Sequence, residues 1–473
     1  MNNKTKVIAT IGPASSTEEI LTDFIQGGVS LARLNFSFGT LESHKAIIEK
    51  IRKISSELES SVAIIQDLQG PKLRVKKILD GSIDLKTGGS VSIVDRNELD
   101  KGMLSVTYPG LWKFVSKGSR ILLSDGLIEL EIEEIEEGSI NCKIIHGGSL
   151  IEGKGLNIPS PTLKIPAITE KDKNDLQFGL QNEVDFVALS FVRSQKEIVE
   201  LKNLISKSKK TARVIAKIEK PEAIDNITNI LEAADAIMVA RGDLAIEMPL
   251  ERVPLLQRKL IELSHIHTKP VIIATQMLYT METSPRPSRA EVSDVAHAIY
   301  EGTDAVMLSG ETAIGKYPVE SVQTLVKIVT EAEKSIFKIY QAPTEVKSIY
   351  RIPSSVAYAV CNLATMLQAK AIITFTSSGF TPLAISKQRS LIPIIALTPR
   401  KEVERRCCLY WGVKAFVTPD IDSTDKMFSV SEEIVREAKL AEKGDIIIIT
   451  AGIPFGRGIQ GTTNLIKVHT VGK

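Results

Sequence analysis

Lys217 and Glu219 close an apolar run, Val214-Ile215-Ala216, and stand two positions apart. On an extended strand that spacing sends both side chains to one face. A lysine placed so suits a phosphate clamp, a Schiff-base nucleophile, a general base or a plain ion pair. The event recurs downstream. Ala236-Ile237-Met238-Val239-Ala240 ends in Arg241-Gly242-Asp243, Pro270-Val271-Ile272-Ile273-Ala274 ends in Thr275-Gln276, and Ala305-Val306-Met307-Leu308 ends in Ser309-Gly310-Glu311. Glu219 and Asp243, at the ends of neighbouring strands, are metal candidates, because Mg²⁺ takes one or two protein carboxylates and leaves its other positions to water and phosphate. Helix capping or pairing with Arg241 is the alternative. Upstream, Arg33, Asn35 and Ser37 alternate onto one side of another run, and Asp67 closes a third. An arginine beside such oxygens suits an anion next to a cation.

Short buried strands that are polar only at their C-terminal ends predict a parallel barrel with its chemistry gathered at that face. Eight strands are expected: around Val7, then 29–34, 62–66, 184–189, 214–218, 236–240, 271–274 and 305–308. Amphipathic helical stretches such as 41–58 and 196–206 follow most of them, giving a (β/α)8 TIM barrel formed by 1–70 and 166–345. The insert 71–165 has another texture. Ile128-Glu129-Leu130-Glu131-Ile132-Glu133 alternates with period two and glycines punctuate the rest, so a small antiparallel β-barrel domain is expected. It leaves from the catalytic face and can act as a lid. A linker over 343–353 leads into a C-terminal α/β domain, 346–473, with strands at 371–375, 393–397, 415–417 and 445–450 in a doubly wound sheet.

The 473 residues carry a formal net charge of +2, with 43% hydrophobic and 25% charged residues. These values fit a globular protein with no general field for nucleic acid or membrane. No apolar run reaches the ~18 residues a spanning helix needs, and the first residues read straight into a strand without a signal peptide. A cytoplasmic location is the expectation. Cys142, Cys361, Cys407 and Cys408 form no C-x-x-C pair and read as reduced packing residues. His265 and His267 lie two apart on an expected helix and face different sides, which argues against a shared zinc ion.

Longer motifs carry a resemblance to the pyruvate kinase family that spans nearly the whole chain. They are Thr5-Lys6-Val7-Ile8-Ala9-Thr10-Ile11-Gly12-Pro13-Ala14-Ser15, Ala32-Arg33-Leu34-Asn35-Phe36-Ser37, Met238-Val239-Ala240-Arg241-Gly242-Asp243-Leu244, Pro285-Arg286-Pro287-Ser288-Arg289-Ala290-Glu291-Val292-Ser293-Asp294-Val295-Ala296 and Met307-Leu308-Ser309-Gly310-Glu311-Thr312-Ala313. The resemblance implies phosphoryl transfer from phosphoenolpyruvate to ADP, giving pyruvate and ATP. It implies that Arg33 and Lys217 hold the transferring group and that Glu219 and Asp243 bind Mg²⁺, with Mn²⁺ as a substitute. Gly242 and Asp243 would offer backbone N–H groups to the substrate carboxylate, and Thr275 would sit near the enolate carbon. Asn35, Arg74 and Lys154 would meet the nucleotide. The physics agrees, since phosphoryl transfer needs positioning and positive charge on the equatorial oxygens.

The same resemblance implies a homotetramer, a phosphorylated effector in the C-terminal domain, and a K⁺ site formed by Asn35, Ser37, Asp67 and the carbonyl of residue 68. Leu68, Gln69, Lys72 and Val75 are instead similar to the K⁺-independent branch, in which a tethered ammonium replaces the ion. Two positions depart from the family pattern. Phe38 stands where a histidine is common, and Ser377, in Thr376-Ser377-Ser378-Gly379, stands where eukaryotic members often carry a lysine. Two further readings remain for the residues taken alone: a Mg²⁺-dependent lyase or aldolase acting on pyruvate enolate, and a non-catalytic metabolite sensor.

Overall fold

The computed structural model describes the chain except residues 1–2, 97, 125, 160–165, 340–347, 422, 453–462 and 473. The expected boundary at 345/346 and much of the expected linker therefore lie outside the described residues. Eight parallel strands close into a barrel: β1 Lys6–Ile11, β2 Val29–Asn35, β3 Ala63–Asp67, β4 Phe186–Leu189, β5 Arg213–Ile218, β6 Ala236–Ala240, β7 Val271–Ala274 and β8 Ala305–Leu308. Each strand pairs with its sequence neighbours, and β8 returns to β1. The all-apolar runs have a physical reason. Alternate residues of one strand enter two different cores. Ile8, Leu31, Ile65, Ile215, Met238 and Ile272 fill the interior, while Val7, Leu34, Ile64, Val214, Val239 and Val271 pack against the surrounding helices.

Local signals set the helices. In Leu41–Glu57, the Thr40 hydroxyl accepts from the Ser43 N–H while Ser43 accepts from the Thr40 N–H, closing a capping box. Its buried residues, His44, Ile47, Ile48, Ile51 and Ile54, recur at helical spacing on one side. Thr169 and Ser288 start Glu170–Gln181 and Arg289–Tyr300 in the same way.

The segment between β3 and β4 is β-rich, as its alternation foretold. Seven strands form one curved sheet around an apolar core that includes Val75, Ile93, Leu130 and Ile140. The sheet closes through irregular bonds: Val75 N–H to Lys154 O at 2.9 Å and Leu156 N–H to Leu73 O at 3.0 Å, around an Arg74–Gly155 bridge. It is not purely antiparallel, since Ser90–Val94 and Met103–Val106 run parallel. Alternation fixes which residues face inward, but the direction of a neighbour depends on the connection, which the pattern does not encode. Asn157 Nδ2 of this unit donates to Glu247 Oε1 of the barrel at 2.9 Å.

The C-terminal sheet has five strands: β9 Ala371–Phe375, β10 Ile394–Thr398, β11 Val413–Val417, β12 Ile446–Gly452 and β13 Thr463–Thr470, in the order β11-β10-β9-β12-β13. The sequence reading has only the first four. β13 is an antiparallel edge strand of mixed, partly exposed residues, so it lacks the apolar run that marks the others. This unit docks under the N-terminal end of the barrel, where Lys387 meets Asp304 at 2.5 Å and Arg405 meets Asp185 at 2.6 Å.

Candidate active site

Twelve of the residues singled out from the sequence line one cleft of about 460 Å³ between the barrel's C-terminal end and the inserted unit: Arg33, Asn35, Ser37, Phe38, Asp67, Gln69, Lys72, Arg74, Lys154, Lys217, Glu219 and Asp243. Pairing in the barrel explains the convergence. Asn35 lies in register with Asp67 across β2 and β3, and β5 presents Lys217 one strand beyond β4.

Lys217 is the electrostatic centre. Its Nζ lies 2.9 Å from Glu219 Oε1, 3.3 Å from Asp67 Oδ1 and 2.8 Å from Ser190 Oγ. Burial pulls its pKa down, but the carboxylates of Asp67 and Glu219 outweigh that and hold it above the ordinary lysine value. Its three oxygen neighbours favour the ammonium form, which suits a phosphate clamp better than a Schiff-base or general-base role. Arg33 Nε donates to Asp67 Oδ2 at 2.7 Å and Nη1 donates to Thr10 Oγ1 at 3.0 Å, so the guanidinium is fixed from one side. Burial raises the pKa of Asp67, yet Lys217 and Arg33 together bring it below the usual carboxylate value.

Glu219 shows the opposite direction. Burial, with the nearby Asp243 charge adding to it, raises its pKa despite Lys217. Its Oε2 accepts from the Phe191 N–H at 2.9 Å, while Oε1 receives no aligned hydrogen-bond donor. Two carboxylates lining one cleft, Glu219 buried and Asp243 partly exposed, fit a divalent cation with oxygen ligands. Asp243 differs from its expected position at a strand end. It rides on the first turn of the helix Arg241–Glu247, because β6 ends at Ala240.

Thr275 and Gly242 lie beside these groups and touch each other. The Gly242 N–H donates to Thr275 Oγ1 at 2.8 Å, so in this arrangement that N–H has a partner within the chain. On the lid side, Arg74 Nη1 donates to Gly153 O at 2.9 Å, and its guanidinium stands 5.8 Å from the ring centroid of Phe38. Lys72 Nζ reaches to 3.8 Å from Asp243 Oδ1. Asn35 Oδ1 accepts from the Ser37 N–H at 3.1 Å.

Ser190 and Phe191 escaped the sequence reading. Ser190 Oγ accepts from Lys217 and donates to Leu68 O at 2.8 Å, tying β5 to β3 across β4. The signal was present, since β4 is another apolar run ending in a polar residue. Glu152, on the lid side of the cleft, had no comparable signal.

The comparisons with known proteins cover the same ground. The family model "Pyruvate kinase, barrel domain" matches residues 2–322, and "Pyruvate kinase, alpha/beta domain" matches 354–469. The chain belongs to the pyruvate kinase family. Pyruvate kinase 2 of Synechocystis sp. is 46% identical over 473 residues, covering 99% of this chain and 79% of that protein. Pyruvate kinase of Staphylococcus aureus is 45% identical over 478 residues, covering 99% of this chain and 80% of that protein. A crystal structure of a pyruvate kinase from Cryptosporidium parvum superposes with a TM-score of 0.89 at 35% identity, covering 99% of this chain and 96% of that one. A pyruvate kinase is a phosphotransferase with a divalent-metal requirement, and the donor set around Glu219 suits one.

Other expected features fall outside the cleft. Thr376 Oγ1 accepts from the Gly379 N–H at 2.9 Å and Ser378 Oγ accepts from the Phe380 N–H at 3.4 Å, so these two N–H groups already have partners within the chain. The four cysteines are free thiols, and burial pushes Cys142, Cys361 and Cys408 up to about 12. His265 stands 2.8 Å from Gly302 O, and burial lowers its pKa to about 3, so the ring is neutral. No helix among the described residues is long and apolar enough to cross a membrane.

Proposed function

We propose that this cleft transfers the phosphoryl group of phosphoenolpyruvate to ADP, giving pyruvate and ATP at the end of glycolysis. The observation that carries the assignment to these residues is the Lys217 ammonium, fixed between Asp67 and Glu219 beside the pinned guanidinium of Arg33. Two buried cations held on Asp67 and lining one cleft suit the charge on a phosphoryl group in flight. Glu219 and Asp243 hold Mg²⁺, for which Mn²⁺ can substitute. When bound, it neutralises the carboxylate and phosphate oxygens of the substrate. Gly242 and Asp243 orient the substrate carboxylate. Thr275 places its hydroxyl by the enolate carbon that takes up a proton. Asn35, Arg74 and Lys154 meet the nucleotide, and the unit 71–165 closes over 1–70 and 166–345 to exclude water, which would otherwise accept the phosphoryl group.

Lys72 supplies the positive charge that K⁺ brings to relatives using the Asn35, Ser37 and Asp67 site. Its ammonium already leans toward Asp243. The C-terminal unit, 346–473, takes a phosphorylated effector at the hydroxyls of Thr376, Ser377 and Ser378. Resemblance to the family supports a homotetramer. The family's glycolytic role supports a cytoplasmic location.

The test is a lactate-dehydrogenase-coupled assay with phosphoenolpyruvate, ADP and Mg²⁺ in buffer free of K⁺ and Na⁺. Full turnover is expected, and Lys72→Glu should make it depend on added K⁺. Binding without turnover under any salt would overturn the catalytic reading. Wild-type turnover only with K⁺ would overturn the role of Lys72 alone.

A further inference from the structure

Thr275 and Gln276 both have left-handed backbones, with φ of 68° and 56°. Neither is glycine, and a β-branched threonine in that region is disfavoured. Two such residues in succession persist only if something outside the turn holds them.

Arg241 does so. Its side chain is nearly buried, and Nη2 donates to Thr275 O at 2.9 Å and lies 3.4 Å from Gln276 O and 2.9 Å from Met277 Sδ. The other arm of the fork, Nη1, sits 2.7 Å from Asp294 Oδ2, on the helix Arg289–Tyr300. Next in sequence, Gly242 gives its N–H to the Thr275 hydroxyl. One guanidinium therefore joins the end of β6, the turn after β7 and a helix of the outer ring.

We propose that Arg241 is a positioning residue for Thr275. Anchored by Asp294, it grips the carbonyls of the strained pair and keeps the Thr275 hydroxyl turned toward Gly242 and the reacting carbon. It touches no substrate. The inference rests on the catalytic reading of Thr275. Lysine cannot replace the planar fork, since one ammonium cannot serve Asp294 and the carbonyls with the same geometry.

The experiment is a double-mutant cycle on the Mg²⁺-loaded enzyme. Arg241→Met and Arg241→Lys are made alone and with Thr275→Ala, and the phosphoenolpyruvate KM, kcat and exchange of the pyruvate methyl hydrogens with D₂O are measured. Arg241→Met is expected to lower kcat and the exchange rate by about 10²-fold, as a small misplacement of a reacting group can, with little change in KM. Arg241→Lys should restore part of the loss. In the Thr275→Ala background, either Arg241 change should cost less than about threefold. Equal losses in both backgrounds, or a rise in KM with kcat and exchange intact, would overturn the proposal while leaving the function standing. If Thr275→Ala turns over and exchanges like wild type, the role of Thr275 and this inference fall together. Should Arg241→Met fail to fold, the lysine variant completes the same cycle.

Discussion

The two ends of the barrel hold the same kinds of residue, and one acid at the C-terminal end, Glu219, is shifted the other way from Asp67, Asp235 and Asp304. At the N-terminal end, Asp185, Asp235 and Asp304 precede β4, β6 and β8. Each accepts a backbone N–H from the adjoining strand, from Ile64, Val214 and Val271 respectively, at 2.8 to 2.9 Å. Each also faces two cations: Arg52 and Arg405, Lys202 and Arg213, and Lys387 and Arg389. Burial raises the pKa values of Asp235 and Asp304, but these cations bring both below the ordinary carboxylate value. At the C-terminal end, Asp67 and Glu219 share one lysine, and Glu219 is shifted upward. Buried charge alone does not mark a site. What sets Glu219 apart from Asp67, Asp235 and Asp304 is that burial and a neighbouring carboxylate outweigh the cation it meets.

The strongest way to test this contrast is to remove a cation from the C-terminal end. Lys217→Met should lower kcat by about 10³-fold or more, since it deletes charge aimed at the transition state, with the fold and Mg²⁺ binding largely intact. Near-wild-type turnover in the coupled assay would break the comparison. At the other end, Asp304→Ala leaves Lys387 and Arg389 buried without their carboxylate. It should cost about 3–5 kcal/mol of stability, as removal of one partner of a buried pair does. A fallen urea midpoint, with kcat of the folded protein changed only a few-fold, is the expected result.

Acid should act through the same residues. The folded-state values of Asp235, Asp304 and Asp67 lie below the ordinary carboxylate value. Their stabilisation is therefore complete above about pH 4, the unfolded carboxylate value. It is lost as the pH falls through the lower folded values. The urea midpoint should hold down to about pH 5 and then drop, and Asp304→Asn should start lower and fall less steeply. The smallest effect has the opposite sign. Glu219→Gln removes a carboxylate that burial and Asp243 disfavour. In chelator-treated protein at pH 7 it should raise stability slightly, since the charge it removes is the one burial and Asp243 disfavour, while abolishing turnover. A clear destabilisation in the same melt would show that Glu219 is an anion of the structural kind.

The sequence alone determined the barrel, the β-rich insert, the C-terminal α/β unit and most residues of the cleft. The reason is local. A parallel strand buried on both faces must be apolar throughout, so a charge at its end stands out, and the family motifs include Arg33, Asn35, Ser37 and Asp243. Sequence ended the strand at Ala240 but did not show that a helix begins at once, at Arg241, and carries Asp243 on its first turn. Nor could it separate Lys217 as a cation from Lys217 as a nucleophile, because its pKa follows from distances to Asp67 and Glu219 across three strands. Asp304 and Glu219 are both acids next to apolar runs. Only the tertiary structure brings Lys387 and Arg389, more than eighty residues away, to Asp304, and sets Glu219 against Lys217 with the charge of Asp243 close by. Long-range charge pairing has no period in the chain, so the difference between a structural anion and a catalytic one is settled by packing.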